Sequence, residues 1–197
     1  CQPTIYDLHY LQSWLASGER LILEDTFSFG SPWVDDDGNA LFIRTAPDGE
    51  AYLEVPVDET KLFFPKTAHM NELSAFKIYT STTLNGVSQN SFIGIRFREN
   101  DSRYFQAEFF PGDCHLDVYN TDTLIYSNSL DRRICIDRYY DMSIALSQNN
   151  RFDIQINGFD PVSIDLEDAD GNLTQGDVKL IAQNVGLQLH YFVVTAP

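Results

Sequence analysis

The side chains here that suggest chemistry are carboxylates. The densest run is Asp165-Leu-Glu167-Asp168-Ala-Asp170, followed directly by Gly171-Asn172. Two carboxylates hydrolyse a glycosidic bond when held about 5 Å apart for retention or about 6.5–9.5 Å apart for inversion. An E-x-D-x-x-E strand, which would present such a set on one face, does not occur, and the Gly-Asn turn marks the run as a solvated loop. A different use of the same residue types is cation binding. Asp35-Asp-Asp37-Gly38-Asn39 and Asp168-Ala-Asp170-Gly171-Asn172 share the pattern D-x-D-G-N. Hard oxygen ligands in a glycine turn suit calcium, which makes Asp35, Asp37, Asn39, Asp168, Asp170 and Asn172 candidate ligands. Neither segment completes an EF-hand loop, since Trp33 and Leu166 stand where the first ligand belongs, and plain hairpin turns account for both.

Other chemistries find less support. The four histidines, at 9, 69, 115 and 190, form no H-x-x-x-H or H-x-H pair, so no transition-metal site is expected. G-x-S-x-G, C-x-x-C and phosphate-cradling loops are absent. No catalytic residue is therefore assigned, and the chain reads as a binding protein. Sugar recognition would use aromatic platforms: Trp33, Tyr119, Tyr126, Tyr139 and Tyr140 are candidates, with Asp117, Asn120 and Asp122 near one strand. The competing reading places those rings in a sandwich core. Arg132, Arg133 and Arg138 form a basic cluster, either a docking point for an acidic partner or a solvated loop.

Composition bounds these options. The 197 residues carry 29 acidic and 13 basic side chains, a formal charge of −16, which disfavours nucleic acid and anionic lipid surfaces as partners. An apolar content of 43% excludes a disordered chain, and no apolar run is long enough to span a membrane. The chain begins Cys1-Gln-Pro-Thr, without an initiator Met, like a bacterial lipoprotein cut before its lipid-bearing cysteine. Acylated Cys1 would be the anchor, because each buried methylene contributes about 0.8 kcal/mol, and the domain would be extracytoplasmic. The alternative is an arbitrary chain boundary at a cysteine. In an oxidising compartment Cys114 and Cys135 become a candidate disulfide. Alternation argues against it: Cys114 shares the apolar face of its strand, whereas Cys135 lies opposite Ile134 and Ile136. Two separate thiols are the alternative.

The spacing of Ile5, Leu8, Leu11 and Leu15 predicts a helix over residues 5–17, with Thr4 and Asp7 as a variant capping box and Gly18 as the stop. Tyr6, Tyr10 and Trp14 form a neighbouring stripe suited to a membrane interface or a partner protein, or to docking on its own domain. From Glu24 onward, short β-rich runs alternate with turn clusters. Strands are predicted at 40–45, 51–56, 74–83, 91–98, 103–110, 114–119, 124–127, 140–147, 151–156, 162–164, 178–183 and 185–194. A central hairpin turns at Asn100-Asp101-Ser102, and 57–73 reads as an excursion over the sheets.

Three stretches carry a family resemblance: Leu23-Glu-Asp25-Thr-Phe27 to Trp33; Gly94-Ile-Arg96-Phe97-Arg98 to Tyr104-Phe105; and Asn157-Gly158 with Val185-Gly186-Leu187 and Tyr191-Phe192. Together they resemble the concanavalin A-like, laminin G-like jelly-roll superfamily over roughly residues 23–194. The resemblance implies an all-β jelly-roll sandwich at 23–197, preceded by the anchor cysteine and short N-terminal helix at 1–22. Its motifs serve turns and core, and the aspartate of the family's closing F-D is replaced by Val193. The expected function is a non-catalytic, lipid-anchored scaffold, an accessory subunit of a membrane protein complex. The alternative is a surface carbohydrate-binding module, with glycan hydrolysis third. The one covalent group expected is the lipid on Cys1; calcium at the D-x-D-G-N turns is a candidate only, against the plain-turn reading.

Overall fold

A computed structural model describes residues 18–28, 33–66, 69–130, 139–156, 159–166 and 173–197. The expected helix with Tyr6, Tyr10 and Trp14, the anchor Cys1, Cys135, Arg132, Arg133, Arg138, and the turn holding Asp168, Asp170 and Asn172 all lie outside the described residues.

Alternating apolar residues fold into two antiparallel sheets that pack face to face. The strands are β1 Arg20–Asp25, β2 Trp33–Asp35, β3 Phe42–Thr45, β4 Ala51–Val55, β5 Lys61–Pro65, β6 Phe76–Asn85, β7 Phe92–Asn100 and β8 Arg103–Phe110. They continue with β9 His115–Asn120, β10 Thr123–Ser129, β11 Tyr139–Leu146, β12 Arg151–Ile156, β13 Val162–Asp165, β14 Asp177–Gln183 and β15 Gly186–Ala196. The first sheet runs β13-β12-β11-β6-β15-β4-β3, with β1 also paired to β15; the second runs β10-β9-β8-β7-β14-β5-β2. This is the all-β sandwich the sequence predicts.

The core shows why. Ile93, Ile95 and Phe97 of β7 and Phe105, Ala107 and Phe109 of β8 face the same buried interior. Phe97 stacks on Phe152 from the opposite sheet, with centroids 4.9 Å apart and planes 13° apart. Burial at this density, about 25 cal/mol per Å² of apolar surface, is what holds the sheets together.

Three findings differ from expectation. The 57–73 segment is not a simple excursion: it contains β5 and a short 3₁₀ turn, Met70–Glu72. Leu62 and Phe64 point away from the core yet are apolar, so the polar half of the alternation was missing. Trp33 and Tyr140 are not exposed platforms, at 0% and 1% exposure. Trp33 instead packs against Phe27, Phe63 and Phe192. Tyr126 also packs against the core.

Buried Arg98 ties several segments together. It donates to Asn150 Oδ1 at 2.7 Å and to the Ser74 and Leu173 carbonyls at 3.1 and 3.2 Å. Cys114 is buried and disulfide-bonded, and its partner lies outside the described residues.

Candidate functional site

The residues of the second sheet that point away from the core fall into transverse rows, because antiparallel register sets them opposite one another. One row runs Tyr119, Gln106, Arg96, Lys179 across β9, β8, β7 and β14. It continues to Phe64, since β14 and β5 pair Leu180 with Phe63. The neighbouring row runs Ser127, Asp117, Glu108, Gly94, Ile181, Leu62.

These side chains hold one another in place. Arg96 Nε donates to Gln106 Oε1 at 2.8 Å, and its Nη1 reaches Glu99 Oε2 at 3.2 Å. The guanidinium also lies 3.9 Å from the centroid of the Tyr104 ring. Gln106 Nε2 donates onward to Glu108 Oε1. Across the strand pair, Asp117 accepts from Ser127 Oγ at 2.6 Å and lies 3.3 Å from His115 Nε2. Lys179 bridges Glu99 and Asp36, both at 2.7 Å. Arg96, Gln106, Glu108 and Asp117 thus form a pre-set array of donors and acceptors.

Gln106, Glu108 and Asp117 are each only 8% exposed although they face outward. Burial pushes the Glu108 carboxyl above the ordinary Glu range; the Gln106 hydrogen bond opposes this and the nearby Asp117 charge adds to it. Gly94 opens the floor between Glu108 and Ile181. A Cβ there would stand 2.2 Å from the Ala107 carbonyl oxygen, so no larger residue fits.

A second polar cluster lies on the outer face of the first sheet. Tyr139 bonds Ser81 and donates to Asp141 Oδ1 at 2.9 Å, while Thr83 and His190 share a hydrogen bond at 2.7 Å. Tyr52 and Tyr139 are tilted 54° and 45° to the His190 ring.

Of the residues the sequence nominated, the structure brings Asp117 and Tyr119 into the rows of the second sheet and leaves Tyr139 on the opposite face. Arg96, Gln106 and Glu108 were missed, although each interrupts an apolar strand at period two. At the first D-x-D-G-N turn, Asp35 Oδ1 accepts the Asp37 and Asn39 amides at 3.0 and 2.9 Å, and Oδ2 accepts Asn39 Nδ2 and Lys61 Nζ. The Asn39 amide, with help from Lys61, holds the Asp35 carboxyl below its ordinary range. Among the described residues no three His, Cys, Asp or Glu side chains converge as a metal site.

No family model matches the sequence, and no curated protein matches it either. Solved structures do match. The CBM2 module of the evolved Dit of Lactobacillus casei BL23 phage J-1 superposes with a TM-score of 0.60 at 7% identity, covering 90% of this chain and 95% of that one. The carbohydrate-binding module CBM66 from Bacillus subtilis gives 0.53 at 10% identity, over 81% and 92%. A carbohydrate esterase from the Shiga toxin-encoding bacteriophage phi24B gives 0.57 at 11% identity, over 91% and 99%. The fold is shared with carbohydrate-binding β-sandwiches. At these identities the likeness concerns fold alone, and function must be argued from the site.

Proposed function

We propose that this domain binds a glycan, without catalysis, on the outer face of its second sheet. The observation that carries the reading is the linked set Arg96–Gln106–Glu108 beside Tyr119 and Asp117. Sugar hydroxyls both donate and accept, so they need both kinds of partner, already ordered. A guanidinium, an amide and carboxylates held by mutual hydrogen bonds supply this at little entropic cost on binding. The presence of carbohydrate-binding modules among the structural neighbours supports the same reading, as does the concanavalin A-like resemblance of the sequence.

The test is a glycan array followed by calorimetry with the purified protein. Arg96→Ala and Tyr119→Ala should each weaken binding at least tenfold, whereas Tyr139→Phe on the other sheet should leave it unchanged. Loss through Tyr139→Phe alone would move the site to the other face. Retention of no glycan at all would end the proposal.

A second reading, glycan hydrolysis, has one specific observation in its favour: Glu108 and Asp117 are a facing carboxylate pair in which Glu108 is raised. Release of reducing sugar by the wild type, lost in Glu108→Gln, would establish it. The non-catalytic reading expects no release from either protein.

A further inference from the structure

We infer that the glycan is gripped by its end, with a terminal sugar seated in a cleft beside the polar row. The inference rests on the glycan-binding reading and adds direction and length to it. A cleft of about 320 Å³ opens where β5, the 3₁₀ turn Met70–Glu72 and β14 meet. Phe64, Lys66, Met70, Asn71, Asp177 and Lys179 are among its lining residues. The 3₁₀ turn packs against β14, so the cleft is bounded on that side by chain.

Lys179 belongs both to the cleft and to the row that runs back through Arg96 and Gln106 to Tyr119. From β5 to β9 the row crosses four strand spacings, about 19 Å at about 4.8 Å each. A ligand lying along it is therefore an oligosaccharide, and the cleft at one end receives its last unit.

The chemistry of the cleft fits one sugar. The partly buried Phe64 ring offers an apolar surface to sugar C–H groups, with Lys179 Nζ 5.7 Å from its centroid. Lys66 and Asn71 bring exposed donors and Asp177 an acceptor. Lys179 is already neutralised by Asp36 and Glu99, and the chain as a whole carries −16. A uronic acid would meet an unfavourable field, so the terminal unit is a neutral sugar.

The probes are cello-, xylo-, malto- and manno-oligosaccharides of two to six units, their polymers, and cyclic maltohexaose, which has no ends. Affinity in the bound series should rise with length and level off near four units. Polymer should bind one protein per chain end, and blocking the terminal unit that enters the cleft should abolish binding. Phe64→Ala should weaken binding of every length at least tenfold, and Lys66→Ala, at an exposed position, should weaken it without touching the fold. Tyr119→Ala should weaken chains of four or more units at least tenfold and leave shorter ones unchanged. Binding to several sites along one polymer, or indifference to both blocked ends, would overturn the end-on inference while leaving glycan binding intact. Binding of cyclic maltohexaose as tightly as linear maltohexaose would do the same. Failure of every probe to bind would overturn both.

Discussion

Glu108 and Asp117 stand directly opposite each other on β8 and β9, two outward-facing carboxylates that are each 8% exposed. Burial is the main reason that Glu108 holds its proton to higher pH than an ordinary glutamate, and Asp117 adds to it. The unfolded chain releases that proton in the usual range, near 4.5. Above that range the folded state binds the extra proton, so stability falls as pH rises toward the raised value. The slope from one proton is at most about 1.4 kcal/mol per pH unit. Glu108→Gln should flatten this fall in urea titrations made across the acidic range. An unchanged pH profile in the variant would show that Glu108 is not the group responsible.

His190 should act in the opposite direction. Burial holds its imidazole below the ordinary 6.5, against the pull of Glu50, Asp141 and Asp48. Below 6.5 the unfolded chain takes up a proton that the folded chain resists, so this contribution to stability is lost as pH falls through that window. Thermal melts of His190→Gln between about pH 5 and 8 should lose that dependence. If the wild type melts at the same temperature throughout, the assignment fails.

Asp25 is the hidden partner of the buried tryptophan. Its Oδ2 accepts Trp33 Nε1–H at 2.8 Å and its Oδ1 accepts the Phe27 amide at 2.8 Å. Asp25→Ala leaves two buried donors without this acceptor, which should cost about 1–3 kcal/mol for each left unsatisfied. Asp25→Asn, which retains one acceptor oxygen, should recover part of the loss. Urea midpoints for the three proteins decide the matter, and equal midpoints would refute it.

Gly94→Ala tests the floor of the site. The added methyl would meet the Ala107 carbonyl, so β7 and β8 must part to admit it. The expected cost is about 1–3 kcal/mol, typical of overpacking, with a parallel loss of glycan binding. A variant as stable as the wild type would mean the hairpin yields more easily than its geometry implies.

The apolar faces of most strands were legible in the sequence, because period-two alternation is a local property of neighbouring residues. Residues 103–110 and 151–156 were predicted as strands and are β8 and β12. The turn at Asp101, with φ 54, was likewise readable from Asn100-Asp101-Ser102. β5 was not, since Leu62 and Phe64 make its outward face apolar and erase the alternation.

Only the tertiary structure decided which outward residues meet. A two-residue turn pairing Asn100 with Arg103 would, by itself, set Arg96 against Ala107 and flip one strand's faces. A bulge around Arg98, at φ 50, shifts the register and sets Arg96 against Gln106. The same bulged strand then pairs with β14, which brings in Lys179 from 83 residues further along the chain. The sequence by itself determined an acidic, aromatic-rich β-sandwich and nominated Asp117 and Tyr119. It could not tell a buried Trp33 from an exposed one, nor assemble the row from Tyr119 to Phe64. Alternation defines two faces of a strand, but which face is covered, and what stands opposite, depends on pairing with distant strands.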